Sequence, residues 1–240
     1  MKRDCLFYLL LGIVFTSFAQ SPPSKQVILV VTDSWDSQTG HLFRFQRLSE
    51  ASPWRQVGPS WPVVVGKSGL AWGNGLEDFR KLDGPKKEEG DGTSPAGCFS
   101  LGPAFGRSPS PEISFRYTPI DSTTQCIEDT GSAYYNRLVN EQTPYRDWNS
   151  TDLMLRTDSL YHWGIFVHHN PDQEAQAGSC IFFHGWRAAS RPTAGCTALS
   201  LKNLEHLIRW LKPRAGPFLV QVPKSQLALF IEDYDLPQIP

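Results

Sequence analysis

Clear helical periodicity occurs once in this chain, and that narrows the folds open to it. Leu201, Leu204, Leu207, Ile208 and Leu211 fall on one helical face, Ser200 stands where an N-cap belongs, and Pro213 closes the segment. The other apolar stretches are short, β-branched or aromatic, and bounded by glycine, proline and polar turn residues, which is the punctuation of strands. Gln26 to Val31, His41 to Leu48, Ser60 to Val65, Ser159 to His169, Gly178 to His184 and Pro217 to Val222 are the strand candidates. Gly66 to Gly106 is dense in glycine, proline and charge and reads as a long loop with short ordered pieces. Pro111 to Asp152 holds no sustained period. The expectation is a mainly β domain with one helix behind a turn near residue 196.

Two neighbouring segments carry the chemistry. The apolar run Gly178-Ser-Cys-Ile-Phe-Phe-His184 stops at Gly185, and Thr193-Ala-Gly-Cys196 is a small-residue turn that presents a thiol just ahead of the helix. A thiol becomes a useful nucleophile when an imidazole takes its proton, so Cys196 and His184 are the candidate nucleophile and base. Gly195 allows close backbone approach, and the amides of Gly195 and Cys196 are candidate oxyanion donors. The positive end of the following helix is expected to lower the thiol pKa. His168 and His169 point to opposite faces of a strand, so one of them can line the cleft. His169, Trp186 and Thr193 are the candidate substrate contacts. Structural alternatives exist for each: an inert buried cysteine, a satisfied core histidine, an aromatic core.

The start of the chain bears on compartment. Met1-Lys-Arg precedes a short apolar stretch from Leu6 to Phe18, and Ser17-Phe-Ala19 offers small residues where a signal peptidase reads. Residues 1–19 therefore read as a secretory signal peptide, too short for a membrane span, with a single domain over 20–240. The expected location is exported, periplasmic or in the cell envelope, with no transmembrane segment in the mature chain. Without those residues, 21 Lys+Arg face 23 Asp+Glu, and the formal charge moves from −1 to −2. No basic block or aromatic-basic interleaving appears, which argues against nucleic acid as a partner.

Cys98, Cys126, Cys180 and Cys196 remain after processing. A nucleophilic Cys196 must stay free, which leaves one bridge among the other three, and Cys98 to Cys126 is the expected pair. Cys180, four residues before His184, reads as core packing.

Three blocks, in this order and at this spacing, resemble the L,D-transpeptidase catalytic domain family, also called YkuD-like. They are Gly66-Lys-Ser-Gly-Leu-Ala-Trp-Gly73 with Glu89-Gly-Asp-Gly-Thr-Ser-Pro-Ala-Gly97, then Cys126-Ile-Glu-Asp129 with Tyr135-Asn136, then the His184 and Cys196 segments. The resemblance runs from about Val63 to Val222. It implies a β-sandwich with the thiol in a cleft between sheets, Cys196 as nucleophile with His184 as base, no cofactor, no metal, and peptidoglycan stem peptides as substrate. The implied chemistry is attack on an amide between an L-centre and a D-residue, a thioester, and its resolution by an amine or by water. The commoner pattern has Ser-His-Gly-Cys followed two residues later by arginine. Here Ala194 and Ala198 occupy the histidine and arginine positions, and Thr-Ala-Gly-Cys resembles a separate branch. A hydrolase of the same stems, a carboxypeptidase, is the nearest alternative. A wall-binding or zinc-binding secreted protein is the more distant one, although neither His-Glu-x-x-His nor Cys-x-x-Cys occurs.

Overall fold

The structure, a computed structural model, describes residues 24–109 and 111–239. The signal peptide expected at residues 1–19 lies outside the described residues. In chain order the strands are β1 (Gln26–Thr32), β2 (Thr39–Gln46), β3 (Arg55–Gln56), β4 (Trp61–Val64), β5 (Leu70–Trp72), β6 (Ser94–Gly106) and β7 (Tyr117–Pro119). There follow β8 (Gln125–Ile127), β9 (Leu138–Val139), β10 (Thr151–Leu153), β11 (Trp163–Val167), β12 (Phe182–Gly185), β13 (Thr197–Leu199) and β14 (Phe218–Pro223). The helices are α1 (Leu201–Trp210) and α2 (Leu227–Asp233).

The main sheet runs β1-β14-β6-β11-β12-β13-β4-β2-β3, and β1 also pairs with β2, so the sheet closes on itself. Closure leaves an inside and an outside. Alternate side chains of β1 divide between them, because successive residues of a strand point to opposite faces. Ile28 and Val30 join Leu42, Val63, Phe99, Ile165, Phe183, Leu199 and Leu219 in one core, together with the apolar face of α1. Val27, Leu29 and Val31 turn the other way, onto Trp72, Val220 and Phe230 of α2. Burial on both faces explains why Gln26–Val31 is an unbroken apolar run instead of an alternating one. The α1 stripe behaves as its spacing predicts: Leu204, Leu207 and Ile208 are buried, and Ser200 Oγ accepts from the Asn203 amide at 3.2 Å.

The stretch expected to be a loop contains the longest strand, β6, which pairs with both β14 and β11. Pro103 has no amide to give a ladder, and the register with β11 shifts at that point, between Ala104 and Leu101. An irregularity there accommodates the proline in a central strand.

A separate antiparallel sheet, β10-β8-β9, lies over the outer face of β6, β11 and β12. Phe105, Phe166 and Phe182 meet Cys126, Met154 and Tyr161 in the seam between them. The disulfide is Cys126–Cys180, not the expected Cys98–Cys126. Cys98 sits on β6 in the core beneath α2, whereas Cys126 faces the opposite layer, so the two cannot meet. Cys180, read from sequence as core packing, is the residue that ties the small sheet to the main one.

Candidate active site

The site begins with a register. β12 and β13 are parallel, with Phe183 opposite Thr197 and His184 opposite Ala198. Cys196, one residue ahead of β13, therefore comes abreast of Phe182, and its Sγ accepts from the Phe182 amide at 3.3 Å. Strand alternation puts Phe182, His184, Cys196 and Ala198 on one face, the face under the small sheet. There a cavity of about 450 Å³ opens, which suits a small ligand or a peptide segment. Its floor is Cys196, His184 and Ala198. Glu128, Ser150 and Asp152 come from the small sheet, and Lys87, Glu89, Arg156, Arg187 and Arg191 complete the polar wall.

The thiol turn is held from behind by the glycine-rich block. Ser94 Oγ accepts from the Gly66 amide at 2.9 Å and donates to the Cys196 carbonyl at 2.9 Å. Lys67 N donates to the Thr193 carbonyl and Thr193 N to the Val65 carbonyl, both at 2.9 Å. Gly66 is required here: a Cβ would stand 2.3 Å from the Gly92 carbonyl oxygen. Thr193 Oγ1 closes the turn itself, donating to the Cys196 carbonyl at 2.5 Å and accepting from the Gly195 amide at 3.1 Å. The Gly195 N–H is thus occupied, while no acceptor among the described residues holds that of Cys196.

The imidazole is buried, and its Nδ1–H donates to the Gly185 carbonyl at 2.7 Å. That bond fixes the tautomer and leaves the Nε2 lone pair available to accept a proton. Burial, assisted by the Arg156 and Arg187 charges, pushes the His184 pKa down to about 4, so the ring is neutral near pH 7. The thiol moves the opposite way: burial pushes Cys196 up to about 12, with Asp152 and Glu128 adding to the effect against the Phe182 amide. The expected thiolate-favouring helix end is not beside the turn, because β13 intervenes and α1 starts only at Leu201. The Sγ partners are the Phe182 amide and, at 3.5 Å, the Cys180 carbonyl, so thiol and imidazole are not hydrogen-bonded to each other. Near pH 7 both groups are therefore neutral, a thiol and an imidazole.

Cys196, His184, Gly195, Trp186 and Thr193 all line the cleft. His169, expected as a substrate contact, does not. It is 1 % exposed, with Nδ1 3.1 Å from the Asn74 carbonyl and Nε2 2.8 Å from the Ala177 carbonyl. Its backbone carbonyl accepts from Asn136 Nδ2 at 2.8 Å. The residue is a tie between segments, buried away from any substrate, and burial pushes its pKa down to about 4. The residues that sequence reasoning missed are Ser94, Glu128, Asp152 and Tyr161, whose hydroxyl donates to Asp152. Two of them carried a signal, Glu128 within the Cys126-Ile-Glu-Asp129 block and Ser94 within the Glu89 to Gly97 block.

Among the described residues no cluster of His, Cys, Asp and Glu is arranged to hold a metal ion, and no helix is long and apolar enough to cross a membrane. A family model described as the L,D-transpeptidase catalytic domain, YkuD, matches residues 46–222. That span leaves out β1 and α2, although both pack onto the same sheet. No curated protein and no solved structure matches the chain.

Proposed function

The chain belongs to the L,D-transpeptidase catalytic domain family, YkuD, whose members are cysteine-dependent and act on peptidoglycan; from that premise we propose that Cys196 is its nucleophile and His184 its general base. The observation that carries this reading is the β12–β13 register, which sets both side chains on one face at the floor of the cleft. As Sγ attacks the carbonyl carbon of a stem-peptide amide, His184 Nε2 takes the thiol proton. The Gly185 carbonyl steadies the resulting imidazolium through Nδ1–H. The Cys196 N–H, which has no acceptor among the described residues, receives the developing oxyanion. His184 then returns the proton to the departing amine, and the acyl group remains on sulfur as a thioester. An incoming amine or water reverses the sequence and frees the thiol. Burial, with the neighbouring carboxylates adding to it, disfavours a standing thiolate, so proton removal is coupled to attack.

Export fits the same reading. A disulfide between Cys126 and Cys180 persists in an oxidising compartment, and the leader expected at residues 1–19 would deliver the chain there. Incubation of the purified protein with isolated muropeptides, followed by mass spectrometry, tests the function. Cross-linked or amine-exchanged stems are the expected product, and Cys196→Ala abolishes them. Trimmed stems alone would make the enzyme a hydrolase, and products that survive Cys196→Ala would overturn the nucleophile.

A further inference from the structure

Three carboxyl groups face the cleft, and two of them have protein donors. The Tyr161 hydroxyl donates to Asp152, which also lies 3.6 Å from Arg156, and the Tyr135 hydroxyl donates to Glu89. Among the cations of the lining, Lys87 pairs with Asp91 at 2.6 Å, Arg156 with Asp158 at 3.0 Å, and Arg187 lies 3.8 Å from Asp158, while Arg191 also lines the cleft. The Glu128 carboxyl lines the cleft with no ion pair or hydrogen bond to its side chain among the described residues. Ser179 Oγ is buried in the lining of the same cleft and, with the Tyr135 hydroxyl as a neighbour, makes no hydrogen bond of good geometry among the described residues. Unpaired buried polar atoms are costly, and they mark places where a ligand completes the bonding.

Both groups are held close to the nucleophile by covalent and backbone geometry. Glu128 follows Cys126 by two residues, Cys126 is bonded to Cys180, Ser179 immediately precedes Cys180, and the Cys180 carbonyl lies 3.5 Å from Cys196 Sγ. Burial holds the thiol protonated, and the charges of Asp152 and Glu128 add to that effect. A cation arriving among them offsets the carboxylates' share. Of the charged groups on a pair of peptide substrates, the attacking amine alone must come to about 3 Å of the thioester carbon.

We propose that Glu128, together with Ser179 Oγ, receives the ammonium group of the acyl acceptor beside the Cys196 thioester. The assignment rests on the acyl-transfer reading of Cys196 and says which substrate feature the cleft selects: a primary amine that arrives as a cation. Glu128 takes one proton from R–NH3+, leaving R–NH2. The nitrogen lone pair forms the C–N bond as the C–S bond breaks, the second proton passes through His184 Nε2 to the departing sulfur, and Glu128 releases its proton to solvent. A partly desolvated carboxyl flanked by Asp152 and Glu89 is suited to that exchange, because those surroundings push its pKa up to about 7.

The test uses two thiol reagents of similar size on the intact protein, the cationic aminoethyl methanethiosulfonate and the neutral methyl methanethiosulfonate. Relative to their ratio with a free small thiol, Cys196 should prefer the cationic reagent by about tenfold. Glu128→Gln should bring that preference to within about twofold, Ser179→Ala should lower it less, and Glu128→Asp should keep most of it. In muropeptide reactions, E128Q should still form the acyl-enzyme seen by intact mass, while its resolution by amine falls about tenfold relative to hydrolysis. An E128Q protein that keeps the cationic preference overturns the assignment and leaves the nucleophile standing. Equal losses in E128Q and E128D would also overturn it, because charge would then not be the cause. If neither reagent modifies Cys196, the reading of the site falls and this assignment with it.

Discussion

The closed main sheet and the small sheet above it face the same cleft, yet they are held by different means. The main sheet is stabilised by side chains that its strands share on two faces, such as Ile28 and Val30 on one side of β1 and Val27 and Leu29 on the other. The small sheet has strands of two or three residues and adds point attachments to the apolar seam it shares with β6, β11 and β12. These are the Cys126–Cys180 bridge, Asn136 bound to the His169 and Asn170 carbonyls, and Asp147 bound to Ser132 and Ala133. Cys196 and His184 come from the first region, and Glu128, Ser150 and Asp152 of the wall above them come from the second.

Variants and conditions can separate the two regions. The largest effect belongs to the floor: Cys196→Ala should cut acyl transfer by at least about 10⁴-fold while leaving the melting temperature near wild type. An unfolded C196A protein would show that the thiol is structural after all. Next comes the wall. Opening the bridge with Cys126→Ser and Cys180→Ser together frees a loop spanning 54 positions, which should cost about 4 kcal/mol in urea unfolding. A cost near zero would mean that the small sheet is held without it.

Acid probes the seam between the regions. His169 and His184 are both held neutral down to about 4, whereas the unfolded chain protonates them near 6.5. Their contribution to stability is therefore complete above pH 6.5 and is lost as pH falls from there to about 4, roughly 3 kcal/mol for each ring. His169→Gln should shallow the slope of unfolding free energy against pH by about one proton in that window, and an unchanged slope would sink the assignment. The smallest effect is far from the cleft. Ser200→Ala removes the cap of α1 and should cost about 1 kcal/mol, measured by urea denaturation, with acyl transfer unchanged.

The legibility of the chain follows the same division. β1, β11, β12, β14 and α1 were readable because the pattern that defines each lies within a few neighbouring residues. The Cys196–His184 pair was readable because both sit at the ends of such segments. β6 was not readable: its two prolines and three glycines look like a loop, and only pairing on both edges makes it a strand. The small sheet was opaque because strands this short carry no period, and their partners lie on other segments.

By itself the sequence determined a mainly β domain, one capped helix, and a thiol and an imidazole on adjoining segments. Local periodicity and capping depend on near neighbours and can be read from them. Tertiary structure alone decided the partner of Cys126, the burial that removed His169 from the cleft, and the surroundings that raise the thiol pKa instead of lowering it. Each of these is a sum over groups far apart in the chain. Desolvation and charge at one sulfur depend on everything packed within a few ångströms, whatever its place in the sequence.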